Sequence, residues 1–183
     1  MVIALLLHVA LVIPSTPAVP SGTFRTAVAE AAALWAPYGV VIELAAPGGT
    51  SDDRIVLTIV PIETRRFTMA GGWSGALGAI SFDADGVPGP RIRLFVTDIL
   101  ALVGGARMFS QPEWQWPRSL HDQIVGRVIG RVLAHEIGHF LLRMPRHTAA
   151  GLMRPVQFQA DLVAMSRQPF TLTAVDVSRL ATR

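Results

Sequence analysis

Residues 134–153 read AHEIGHFLLRMPRHTAAGLM. A helix reads through Leu142 and is stopped by Pro145, which lacks an N–H and whose ring clashes with the preceding turn. His135 and His139 are four residues apart, so on a helix they lie one above the other on a single face. Glu136 lies roughly 100° round the axis from His135. Two imidazoles that point at one ion, with a carboxylate beside them that need not touch it, form the H-E-x-x-H pattern of zinc hydrolases. With five histidines and five glutamates in 183 residues, the pattern is expected by chance in about 0.004 of such chains.

In that arrangement zinc lowers the pKa of a water toward neutrality, and Glu136 is the base that takes its proton. A catalytic zinc site wants a third protein ligand. The chain has no cysteine and no glutamate after Glu136, so the downstream candidates are His147, Asp161 and Asp176. His147 leads them, because a chain that turns back after Pro145 brings it over the metal. Asp161 reads as a cap or surface residue. His121 is about four turns from His135 and cannot share its metal, and His8 reads as a core histidine in an apolar run.

Working outward, the helix extends back to Leu120, with Ser119 as N-cap and Asp122 three residues on. Gly126, Gly130, Ala134 and Gly138 recur every four residues and make a smooth stripe where another element can approach closely. Upstream, Ser21 caps a helix from Gly22 to Ala36, in which Phe24, Val28, Ala31 and Trp35 share a face. Val40–Leu44 and Arg54–Val60 read as strands, the second buried on both faces. Thr64–Gly78 is a glycine-rich loop with Trp73. Ala79–Phe82 is a strand, Asp83–Pro90 a turn, and Arg91–Thr97 a further strand. Asp98–Trp116 reads as irregular. Trp73, Trp114 and Trp116 are residues for core or loop packing rather than a cleft. Thr173–Ala181 is a short terminal helix.

Composition sets the frame. Hydrophobic residues make up 51% and charged residues 16%, enough apolar material for a core and too little charge for a disordered chain. No repeat or linker divides residues 1–183, so one domain is expected. All 16 basic residues are arginine, and the formal charge is +3. No basic run exceeds Arg65–Arg66, which argues against a nucleic-acid partner. The apolar start reads as a first strand, Ala4–Ile13, ended by Pro14; a signal peptide is the alternative, but no basic residue precedes the run. No segment reaches the length of a membrane span.

The stretch from Ala134 to Met153 resembles the active site of the metzincins, and particularly that of small bacterial metzincin-like proteins. The resemblance implies an α+β fold: a mixed, mostly parallel twisted sheet with an antiparallel edge strand and an active-site helix. It implies zinc held by His135, His139 and His147, Glu136 as general base, and a Met-turn at Gly151-Leu152-Met153 that places Met153 beneath the metal. It also implies that Ala79, Ile80 and Ser81 form the edge strand that pairs with an extended peptide or protein substrate. The spacing departs from the longer metzincin motif. Leu142 and Pro145 stand where that motif has its glycine and third histidine, so the turn before His147 is two residues longer. No tyrosine follows Met153, which leaves oxyanion stabilisation to zinc and backbone N–H groups. The expected reaction is zinc-dependent peptide-bond hydrolysis. The alternatives are a non-catalytic zinc and peptide-binding module and a three-histidine metal hydrolase acting on RNA.

Overall fold

The computed structural model describes residues 6–13, 18–45, 54–63, 75–108, 110–155 and 158–182. The chain runs β1 (Leu7–Val12), α1 (Ser21–Trp35), β2 (Val40–Leu44), β3 (Ile55–Ile62), β4 (Gly78–Phe82), β5 (Pro88–Phe95), α2 (Val96–Gly104), β6 (Arg107–Met108), β7 (Gln111–Pro112), α3 (Arg118–Leu141), α4 (Gln159–Val163) and α5 (Ala174–Ala181). It is α+β. Five strands form one sheet in the order β2-β1-β3-β5-β4. Within this sheet every pairing is parallel except that of β4, which runs antiparallel to β5 at the edge. No helix among the described residues is long and apolar enough to cross a membrane.

The core lies between one face of the sheet and the pair α1 and α3. Val9 and Leu11, Leu57 and Ile59, and Ile92 and Leu94 alternate into it, all fully buried. From the helices come Phe24, Ala27, Ala31 and Trp35, and Ile124, Val128, Ile129 and Leu133. β3 departs from the expectation of two buried faces, because Val56 is 44% exposed. Among the described residues the helices cover only the face that carries Leu57 and Ile59, so β3 alternates instead of being uniformly buried.

The glycine stripe of α3 meets two different neighbours. A Cβ on Gly126 would lie 2.7 Å from Thr26 Cβ and 2.8 Å from the Thr23 carbonyl oxygen. One on Gly130 would lie 2.5 Å from the Ala27 carbonyl oxygen and 2.6 Å from Glu30 Cβ. At these two positions α1 touches the backbone of α3. Further along, Trp35 donates its indole N–H to the Ala134 carbonyl at 3.0 Å, and Gly138 faces the Met153 side chain.

Helix starts and one whole helix differ from the sequence reading. Pro20 and Pro117 occupy the N-cap positions with φ of −58° and −55°, and neither helix has a side-chain cap. Ser21 and Ser119 therefore lie inside their helices, led in by a backbone that proline fixes. The strand expected to run on to Thr97 ends at Phe95, and part of the segment expected to be irregular is α2. Its buried Val96, Ile99, Leu102 and Val103 follow helical spacing. β5 starts inside the expected turn, at Pro88. Thr173 caps α5 through a reciprocal capping box with Asp176.

Gly130→Ala is expected to destabilise the protein by about 1–3 kcal/mol in urea unfolding, since overpacking outweighs the roughly 1 kcal/mol gained in helix propensity. A stabilised variant would show that the helices can separate at no cost.

Candidate metal centre

His135 and His139 occupy successive turns at the end of α3. After Leu141 the chain reverses sharply, with Arg143 in the left-handed region at φ 47°. Helices often end through such a residue, though glycine is the usual occupant. The reversal is tied back by the Met144 N–H, which donates to the His139 carbonyl at 3.2 Å. Pro145 and Arg146 then deliver His147. A second turn follows: Gly151 has φ 74°, and the Arg154 N–H reaches the Gly151 carbonyl at 3.4 Å. Thr148 N–H donates to the Met153 carbonyl, and Leu152 N–H to that of Thr171, both at 2.9 Å.

These turns bring three imidazoles together. The ring centroids of His135, His139 and His147 lie 4.7, 5.2 and 4.9 Å apart pairwise. One nitrogen from each falls within a 4.8 Å group that could hold a metal ion. His135 Nδ1 lies 2.7 Å from the Leu152 carbonyl, and His139 Nδ1 lies 2.6 Å from that of Met144. A carbonyl can only accept, so both Nδ1 atoms carry the proton and both Nε2 atoms present lone pairs. Those two Nε2 atoms are 3.1 Å apart. Two facing lone pairs repel, and a shared cation resolves them; carbonyl-anchored imidazoles are the usual support of metal-ligating histidines.

Burial favours the neutral form of His135 and His139, which is the form that binds metal, while His147 is exposed. His135 is pulled down to about 3 by desolvation first, with the neighbouring His139 and His147 adding to it. His139 and His147 are lowered as well, again chiefly by burial. Phe82 packs edge-on to His139, with centroids 6.3 Å apart.

Glu136 stands beside the cluster, buried beneath β4. Burial pushes its carboxyl up to about 7, against the pull of the Ile80 N–H and of Arg93. A cation at the histidines would draw it down again. The strand rests directly on this residue: a Cβ on Gly78 would lie 2.7 Å from Val132 Cγ1 and 3.1 Å from Glu136 Oε1.

The cluster opens into a cleft of about 460 Å³ between β4 and α3, with Leu102 and Leu162 on its far wall. Gly78, Ala79, Ile80 and Phe82 line it. Of the three expected edge residues Ser81 does not, and it is exposed, next to the irregularity of pairing between Ile80 and Phe82. Met153 is fully buried and packs against Gly138, between the two histidines of α3.

The other candidates lie elsewhere. Asp161 pairs with Arg154 at 2.6 Å, and Asp176 is spent on the α5 cap. His121 sits 3.1 Å from Glu113, and His8 is only half-buried on β1. Trp116 is buried, with its N–H on the Gln111 carbonyl at 3.1 Å; Trp114 is exposed. Trp73 lies outside the described residues. Sequence reasoning missed Arg131, which also lines the cleft. Burial lowers its guanidinium pKa, while Glu30 raises it. Only an arginine within a helical pattern marked it.

No protein-family model matches this chain, and no curated protein matches it.

Each of His135→Ala, His139→Ala and His147→Ala is expected to weaken zinc binding by at least about a hundredfold in equilibrium dialysis, while His121→Ala leaves it unchanged. Unaltered binding in the His147 variant would remove that residue from the ligand set.

Proposed function

We propose that this chain is a metzincin-like, zinc-dependent peptidase. One observation carries the reading: a buried carboxylate, Glu136, stands in the same cleft as three converging imidazoles and the backbone of an edge strand. The residues suit zinc, since it takes imidazole nitrogens readily and the chain offers no thiolate. The resemblance of residues 134–153 to the metzincin site supports the same assignment.

The chain's own residues divide the work. His135, His139 and His147 hold the ion, and the carbonyls of Leu152 and Met144 orient two of them. When bound, zinc polarises the scissile carbonyl and makes water nucleophilic near neutral pH. Glu136 takes the proton from the attacking water and passes it to the leaving amine. Among the described residues β4 pairs only with β5, so its outer edge is available to an extended peptide, which gains affinity through main-chain hydrogen bonds. Gly78 leaves space for Glu136 directly under that strand.

Glu136→Gln is expected to retain zinc and lose about 10²–10⁴-fold in kcat on peptides that the wild type cleaves. A glutamine variant with zinc and full activity would sink the mechanism. Gly78→Ala is expected to keep zinc as well but to lower kcat, as a methyl group displaces the carboxylate; an unchanged rate would show that the strand does not set the position of Glu136.

A further inference from the structure

Arg131 lies one turn before His135, and its side chain is shut off from solvent. Its Nε donates to Glu30 Oε1 at 2.9 Å. Its Nη1 donates to the carbonyls of Asp161 and Leu162, the second at 3.2 Å, and its Nη2 to that of Ser166 at 2.9 Å. Arg127, a turn earlier, reaches the Val163 carbonyl at 2.9 Å. Two guanidiniums on one helix thus take the carbonyls of residues 161, 162, 163 and 166.

These bonds explain why α4 exists. It spans Gln159–Val163, little more than one turn, and so short a helix does not hold itself in water. Its closing carbonyls have no partner within the helix, and cationic side chains both satisfy such groups and suit the negative end of the helix. α4 carries Leu162, buried, into the cleft wall with Val132 and Leu102. Gln159 Nε2 fastens the segment to the Leu102 carbonyl at 2.6 Å. None of these bonds involves the three histidines or the carbonyls that orient them.

We infer that Arg131 is a positioning residue: it fixes the cleft wall built by α4 against the metal-bearing helix, and so sets how tightly the cleft holds a substrate side chain, with no part in metal binding. The substrate half of this rests on the peptidase reading; the wall half does not.

The test compares Arg131→Met, Arg131→Lys and Glu30→Gln/Arg131→Met with the wild type in three measurements. Zinc uptake by dialysis is expected to stay within about twofold in affinity, because the ligand set is untouched. The Leu162 and Ala164 amides, bonded to the Phe158 and Ala160 carbonyls at 3.0 and 3.1 Å, are expected to exchange at least about tenfold faster while mid-α3 amides stay slow. On a cleaved peptide, KM is expected to rise about tenfold with kcat within about twofold, and lysine to recover part of the loss. Wild-type protection of those two amides, zinc lost in parallel, or a fall in kcat with KM unchanged overturns the inference. A wild type that holds zinc but cleaves no peptide overturns the peptidase reading instead, and the exchange result still judges the wall. Where the methionine variants do not fold, the lysine variant carries the same exchange test.

Discussion

The placing of His135, Glu136 and His139 depends on how closely α3 lies against α1. The two helices meet at backbone distance, at Gly126 against Thr23 and Thr26 and at Gly130 against Ala27 and Glu30. Such an approach lets Trp35 reach under α3 and donate to the Ala134 carbonyl. It also puts Glu30 within reach of Arg131 across the same contact. One turn further along the same helix come His135, Glu136 and His139. Their position is therefore set by packing that begins two turns away, and Gly138 continues the logic by leaving room for Met153.

The electrostatics of the middle and of the end of α3 differ in kind. At the middle of the helix a buried carboxylate is paired: Glu30 accepts from buried Arg131 at 2.9 Å and from half-exposed Arg167 at 2.7 Å. Loss of Glu30 would strand the buried Arg131 guanidinium, and removing one partner of such a buried pair typically costs about 3–5 kcal/mol. At the end of the helix buried His139, half-buried His135 and exposed His147 gather beside a carboxyl that desolvation raises against the pull of Arg93. A divalent cation is the natural complement of that second set: it uses the imidazole lone pairs and stabilises the ionised carboxylate.

Parts of this were legible in the residues. Val40–Leu44 is bounded as expected, and the H-E-x-x-H spacing places two imidazoles on one helix face because a turn of helix is a local property. The break at Pro145 favours His147 over Asp161 and Asp176, and His147 joins the other two histidines in space. What stayed hidden is what distant residues decide. α2 was missed because Val96 and Thr97 continue the apolar, β-branched texture of β5 and Gly104-Gly105 reads as loop. α4 was missed because its carbonyls are satisfied by arginines some thirty residues earlier. Arg131 and Glu30 lie 101 residues apart in sequence, and no local pattern joins them. The reversal at Arg143 carries no glycine or asparagine to announce it. The helix starts were misplaced because serine caps were expected where proline sets the entry.

The central claim is that three imidazoles of this chain share one zinc ion. X-ray absorption at the zinc edge of the zinc-loaded protein tests it most directly. The account predicts three imidazole nitrogens at about 2.0–2.1 Å. A spectrum with two imidazoles or fewer would contradict it, and with it the proposed peptidase chemistry.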